Sequence, residues 1–174
     1  EGPALIHDAS SICSRLGATH YFDPRRYFLF KVLESDEATA LIAHSLARLI
    51  LSHFRGPKKL LLLDLDNTLW GGALGEMGVD GIELGPDSPT GEAFVAFQRY
   101  LKYLCQHGVV LGAISKNDSE IALQGISHPH SVLRREDFAV FKAGWRPKAE
   151  YIQEACNELS LSPDSCVFID DSTF

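Results

Sequence analysis

The sequence predicts an α/β domain built on a central parallel sheet, and three observations predict it. Short apolar runs alternate with longer segments of helical period, the runs are apolar on both faces, and they end in polar or acidic residues. The first run, Lys59-Leu60-Leu61-Leu62-Leu63-Asp64, has the composition of a buried helix as much as of a buried strand. Length decides for a strand, because Asp64, Asp66 and Asn67 follow at once and Gly71-Gly72 closes the segment. Val109 to Ile114 is a second buried strand, Ser131-Val132-Leu133 reads as a brief third, and Cys166 to Ile169 is the last.

Between them, Thr90 opens a helix with Phe94, Phe97, Leu101 and Leu104 at steps of three and four, stopped by His107-Gly108. Asp118 to Gln124 is a short helix, and Lys148 to Leu159 carries Ile152, Ala155 and Leu159 on one face. Trp70 to Leu84 is rich in glycine and reads as a turn and hairpin that forms a flap. Toward the N-terminus, Ser35 caps a helix with Leu41, Ile42, Leu46, Leu49 and Ile50 on its apolar face. That helix ends near Arg55-Gly56-Pro57. Ile12 to Leu33 mixes aromatic and basic residues without a clean period and reads as an irregular cover. The expected organisation is an N-terminal irregular and helical extension, 1–56, and a main domain, 57–174.

Composition excludes several classes. Sixteen basic residues against 23 acidic give a net charge of -7, with no basic run longer than Lys58-Lys59, which argues against nucleic acid. No apolar run reaches the roughly 20 residues that span a bilayer, and Glu1-Gly2-Pro3 lacks the order of a signal peptide. Cys13, Cys105, Cys156 and Cys166 are widely spaced and form no Cys-x-x-Cys pair, so a reduced, cytoplasmic protein is expected.

In an open parallel sheet, ligands bind beyond the carboxyl ends of the strands. Here the first strand runs into Asp64-Leu65-Asp66-Asn67-Thr68, the second into Ser115-Lys116-Asn117-Asp118 and the last into Asp170-Asp171. Carboxylates gathered at one edge repel unless a cation lies among them, and an oxygen-only donor set suits magnesium. Strand alternation points Asp64 and Asp66 to opposite faces. They converge only if the backbone bends after Asp64 or if one contributes its main-chain carbonyl. An isolated Asp-x-Asp is as often a turn or a helix cap, a reading that weakens with each strand ending in the same way.

Asp64-Leu65-Asp66-Asn67-Thr68 after an apolar strand resembles the first motif of the haloacid-dehalogenase superfamily. Ser115, Lys148 and Asp170-Asp171 match the remaining three in order. The resemblance implies a Rossmannoid three-layer sandwich with a small flap-type cap. It implies that Asp64 is the nucleophile and Asp66 the general acid and base. Magnesium is then held by the Asp64 side chain, the Asp66 main-chain carbonyl and Asp171, with Asp170 in support. Ser115, Lys148 and Asn117 bind the transferring phosphoryl oxygens. Each has a bland alternative: Ser115 as a turn residue, Lys148 as a solvated lysine. A cation opening a helix works against the dipole, however, which favours a local anion as its reason.

A closer resemblance covers roughly Asp23 to Asp171. Leu65-Asp66-Asn67-Thr68-Leu69-Trp70-Gly71-Gly72, Gly75-Glu76, Gly81 to Gly85, Ser115 to Asp118, His128-Pro129, and Trp145 with Lys148 are similar to the FkbH-like family of polyketide assembly. That likeness implies transfer of a glyceryl or related three-carbon acyl unit from 1,3-bisphosphoglycerate to the phosphopantetheine thiol of an acyl carrier protein. Trp70, Gly71, Gly72 and Lys116 would line the substrate, although Trp70 is equally readable as core packing. His128 and His130 fall in a probable loop, solvated or packed there.

The chain departs from the FkbH-like pattern at Ile114, where many relatives have cysteine, and at Gly144, where asparagine is common. Direct transfer to the carrier thiol is therefore expected, with Cys105 and Cys166 as buried apolar residues. The chain ends three residues after Asp171, where such a sheet normally continues, so a longer protein is expected. Two other functions compete with acyl transfer: a plain small-molecule or protein phosphatase, and a non-catalytic carrier-protein docking module.

Overall fold

The computed structural model describes residues 5–172, so residues 1–4, the start Glu1-Gly2-Pro3 among them, and the last two residues lie outside the described part. The chain divides into two compact units, Glu1–Pro57 and Lys58–Phe174. No described helix is long and apolar enough to cross a membrane.

The first unit is helical. It comprises α1 (Ala9–Leu16), α2 (Ala18–Tyr21), α3 (Pro24–Phe30) and α4 (Asp36–Arg55). The irregular cover expected over Ile12 to Leu33 is thus corrected to three short helices. Two of them have their own start signal: Asp8 caps α1, and Asp23 caps α3 with Pro24 in the first turn, where its missing N–H costs nothing. Helices of four to eight residues are too short to show a 3.6-residue period, which is why composition hid them. Ser35 caps α4 as expected, accepting from Ala38 N. Ile12, Tyr21 and Ala38 form a small core inside this unit.

The second unit carries a four-stranded parallel sheet in the order β3-β2-β1-β4. The strands are β1 (Leu60–Leu63), β2 (Val110–Ser115), β3 (Phe138–Ala143) and β4 (Cys166–Ile169). In β1 every residue is buried, and alternation sends its side chains into two different cores. Leu61 and Leu63 pack with Leu101 of α6 (Pro89–Gln106) and with Ala122 and Ile126 of α7 (Ser119–Ile126). Leu60 and Leu62 pack with Tyr151, Ala155 and Cys156 of α8 (Lys148–Glu158). Helices on both faces of the sheet make the three-layer sandwich that the sequence predicts.

Two local expectations are corrected. Ser131-Val132-Leu133 is not a strand. Its Ser131 hydroxyl and the Val132 and Leu133 N–H groups donate to Oε1 of Gln98, a fully buried side chain whose Nε2 donates to the Leu69 carbonyl. The segment's polar groups are satisfied by one glutamine instead of a ladder. The third strand is Phe138–Ala143, an edge strand with Lys142 in it, and a register irregularity at Leu111/Gly112 interrupts its pairing with β2.

The expected flap over Trp70 to Leu84 is closed by a single antiparallel pair, with Gly71 and Glu83 exchanging N–H to O bonds of 3.0 and 2.9 Å. Between the paired residues lie α5 (Leu74–Met77) and a tight turn at Val79–Gly81, so the interior is helical and not a hairpin.

Replacing Gln98 with Met keeps the bulk but strands the Val132 and Leu133 N–H groups and the Leu69 carbonyl. Since each unsatisfied buried group costs about 1–3 kcal/mol, urea unfolding of Gln98→Met should show a loss of at least about 2 kcal/mol. An unchanged midpoint and slope would show that the clamp contributes nothing.

Candidate active site

β1 delivers Asp64 to the carboxyl edge of the sheet, and the Asp64 N–H continues the ladder by donating to the Ile169 carbonyl at 2.9 Å. That pairing sets Asp170 and Asp171 beside it. One oxygen from each of Asp64, Asp170 and Asp171 lies within 4.8 Å of the others, with Asp64 buried, Asp170 half-buried and Asp171 exposed. From the first residue of α8, Lys148 Nζ donates to Asp64 Oδ2 and Asp170 Oδ2, both at 2.7 Å. A cation in the first turn opposes the helix dipole, and two carboxylates in contact offset that cost.

The titration behaviour of these groups follows from their surroundings. Burial raises the Asp64 pKa above the ordinary carboxylate range, and Lys148 only partly opposes it. Burial works in the same direction on Asp170, but bonds from Lys148 and from the Ser172 N–H and hydroxyl outweigh it and hold the group at about 2. For Lys148, burial favours the neutral amine, and the bonds to Asp170 and Asp64 outweigh it, so its pKa is raised.

After Asp64 the backbone leaves the strand. Thr68 and Leu69 N–H both donate to the Leu65 carbonyl, and Asn67 adopts φ 53°, a left-handed conformation that asparagine tolerates. This bend carries Asp66 away from the three-carboxylate cluster. Its Oδ1 accepts from Trp70 Nε1 at 2.9 Å and from Leu74 N at 3.1 Å, while Oδ2 accepts from Asn117 Nδ2 at 3.0 Å. The bend therefore separates the two aspartates instead of bringing their carboxylates together.

Several expected placements change. Asp170, expected only in support, has its carboxylate inside the cluster, because Asp64 and Ile169 pair in register and Lys148 ties it to Asp64. Asn117, expected on the phosphoryl oxygens, is buried and spends its amide on Asp66. Trp70, expected to line the substrate, is fully buried and packs into the main core. Gly71 is buried and paired with Glu83, and the Gly72 N–H donates to Asn67 Oδ1. Ser115 is buried as the last residue of β2.

A cavity of about 430 Å³ opens beside Asp66, lined by Ala73, Gly75, Glu76, Lys116, Asn117, Asp118, Ile121 and Trp145. Of the expected lining residues, Lys116 is there; Ala73, Gly75 and Glu76 take the place of Trp70, Gly71 and Gly72. Trp145 is 72% exposed, with Nε1 donating to Asp118 Oδ1 at 3.3 Å. An exposed tryptophan directly before the Arg146-Pro147-Lys148 helix start was the available signal for it. Gly144, with φ 154°, leaves room that any Cβ would take from the Tyr151 hydroxyl, which accounts for glycine at that position. A larger cavity of about 770 Å³, lined by residues including Pro86, Glu92, Arg99 and His130, shares no residue with this site.

The four cysteines are free. Burial, with Cys156 alongside, pushes the Cys166 thiol up to about 11, so it keeps its proton at neutral pH.

No family model and no curated protein matches the chain. Solved structures do. The N-terminal part of the protein BF1531 from Bacteroides fragilis, which contains a phosphatase domain and is complexed with Mg, is 35% identical with a TM-score of 0.82. The match covers 94% of this chain and 44% of that one, so this chain spans less than half of it. A Vibrio cholerae protein provisionally described as a 3-deoxy-D-manno-octulosonate 8-phosphate phosphatase is 20% identical, with a TM-score of 0.44 over 71% of this chain and 62% of that one. The parallel sheet flanked by helices and the likeness to the Bacteroides phosphatase domain give the chain a haloacid-dehalogenase-like fold. The finer FkbH-like assignment rests on sequence motifs alone.

The donor set fits a hard divalent cation: three carboxylates converge, and among the described residues no histidine or cysteine joins them. Magnesium chloride should raise the thermal midpoint of the protein, because a ligand bound only by the folded state at about 100 times its Kd stabilises by about 2.7 kcal/mol. Asp171→Asn should lose most of that shift while melting normally without metal. An undiminished shift would take Asp171 out of the donor set.

Proposed function

We propose that this chain is a magnesium-dependent phosphatase domain that works through an aspartyl-phosphate on Asp64. The observation that carries the reading is the Asp64–Lys148–Asp170 arrangement at the sheet edge, with Asp171 beside it. The likeness to a phosphatase domain complexed with Mg supports it.

In this reading an Asp64 oxygen attacks the phosphorus of a phosphate monoester, the ester P–O bond breaks, and the departing oxygen takes a proton from Asp66. Water then attacks the phosphorus and gives its proton to the Asp66 carboxylate. The bond to Asp64 breaks, and inorganic phosphate leaves. In this reading the Lys148 ammonium neutralises charge on the phosphoryl oxygens and the Ser115 hydroxyl donates a hydrogen bond to one of them. Magnesium, held by Asp64, Asp171 and the newly placed Asp170, would supply Lewis-acid neutralisation of phosphoryl charge.

A narrower reading is acyl transfer in polyketide assembly, in the reduced cytoplasm. A carrier-protein phosphopantetheine thiol would lose its proton and bond C1 of 1,3-bisphosphoglycerate as the C1–O bond breaks and that phosphate leaves, while the C3 phosphate is removed at Asp64. Lys116, Asn117, Asp118 and Trp145, which carry part of the sequence resemblance, border the cavity beside Asp66 and favour this reading. The Cys166 thiol, protonated at neutral pH, favours direct transfer without an enzyme thioester.

Asp64→Asn should lower phosphate release by at least about a thousandfold, as removal of a nucleophile does. Unchanged release would overturn the mechanism. With magnesium, 1,3-bisphosphoglycerate and holo carrier protein, intact mass of the carrier separates the two readings: a glyceryl adduct supports transfer, and an unmodified carrier alongside free phosphate leaves the plain phosphatase.

A further inference from the structure

We propose that Trp70 is a positioning residue: its indole N–H, fixed by core packing, locks the Asp66 carboxylate in one orientation and leaves Oδ2 as the oxygen that exchanges protons with substrate. The inference rests on the reading of Asp66 as the general acid and base.

A carboxylate offers about four acceptor positions, two on each oxygen. Oδ1 has both taken, by Trp70 Nε1 and the Leu74 N–H, while Oδ2 has one taken, by Asn117. The remaining position lies on Oδ2, and Asp66 borders the 430 Å³ cavity. A lone aspartate rotates freely about its terminal bond, so three donors from two loops are what define which oxygen is free.

The Trp70 donor is itself immobile. The indole is fully buried, and its ring edge lies over Gly125 of α7, where an added Cβ would sit 2.6 Å from Cη2 and 2.7 Å from Cζ2. The turn from Leu65 to Leu69 and the bridge between Asp66 and Trp70 bring the ring back over the aspartate four residues earlier. Phenylalanine would fill much of the same volume without donating a hydrogen bond. The conserved bulk therefore separates packing from positioning.

The test compares two probes, glycerol 2-phosphate, whose alkoxide needs a proton to leave, and p-nitrophenyl phosphate, whose phenolate does not. Asp66→Asn should lose far more rate on the first than on the second, since general acid catalysis contributes about 10²–10⁴-fold. Trp70→Phe should shift the ratio of the two kcat/KM values, which report leaving-group departure and not the shared hydrolysis of the aspartyl-phosphate, the same way by about tenfold, a part of that range. Gly125→Ala, which crowds the ring without removing its N–H, should shift it in the same direction and serves if Trp70→Phe does not fold. Equal loss on both probes in the Trp70 and Gly125 variants, alongside discrimination by Asp66→Asn, overturns the positioning role and leaves the general acid standing. No discrimination by Asp66→Asn overturns the general-acid reading itself.

Discussion

Like charges at the edge of the sheet set the terms for the rest of the site. At an effective dielectric constant of about 20, two carboxylates at the 4.8 Å separation limit seen for Asp64 and Asp170 repel by on the order of 3 kcal/mol. The parallel ladder leaves them no alternative, because Asp64 directly follows β1, Asp170 directly follows β4, and the two strands pair in register from Leu60↔Cys166 to Leu63↔Ile169. Lys148 supplies the compensating charge from the start of α8, and α8 is held against the sheet by Tyr151, Ala155 and Cys156. The same packing that builds one face of the sandwich therefore aims the cation.

The backbone bend after Asp64 divides the labour between two acids only two residues apart. One enters a cluster of opposite and like charges suited to a divalent cation and a phosphoryl group. The other is bonded by neutral donors beside a cavity whose rim holds Lys116, Glu76 and Trp145. Two carboxylates in such different environments suit nucleophile and proton carrier, respectively.

Much of the sandwich was legible because its signals are local. The leucine run of β1, the capped α4, the periodic α6 and the β4–Asp170-Asp171 junction are each contained in a few consecutive residues. β3 was not legible, since an edge strand with Lys142 in it follows the charged Arg134-Arg135-Glu136-Asp137 turn, whereas Ser131 to Leu133 has strand composition but is claimed by Gln98, more than thirty residues away. The site divides along the same line. Asp64, Ser115 and the paired aspartates stand at strand ends and were legible from that position, whereas Lys148 was named through the motif resemblance. That Asn117 serves Asp66 across 51 residues, and that Trp70 faces inward over Gly125, are tertiary facts without a local pattern.

The central claim is that phosphoryl transfer passes through Asp64, and borohydride trapping tests it most directly. Protein turning over p-nitrophenyl phosphate with magnesium is quenched into sodium borohydride, which reduces an aspartyl-phosphate to homoserine, and the peptide containing residue 64 is weighed. Homoserine at Asp64, dependent on substrate, is the predicted result. Phosphate release without any reduced residue at 64, or with the label at Asp66, would contradict the account.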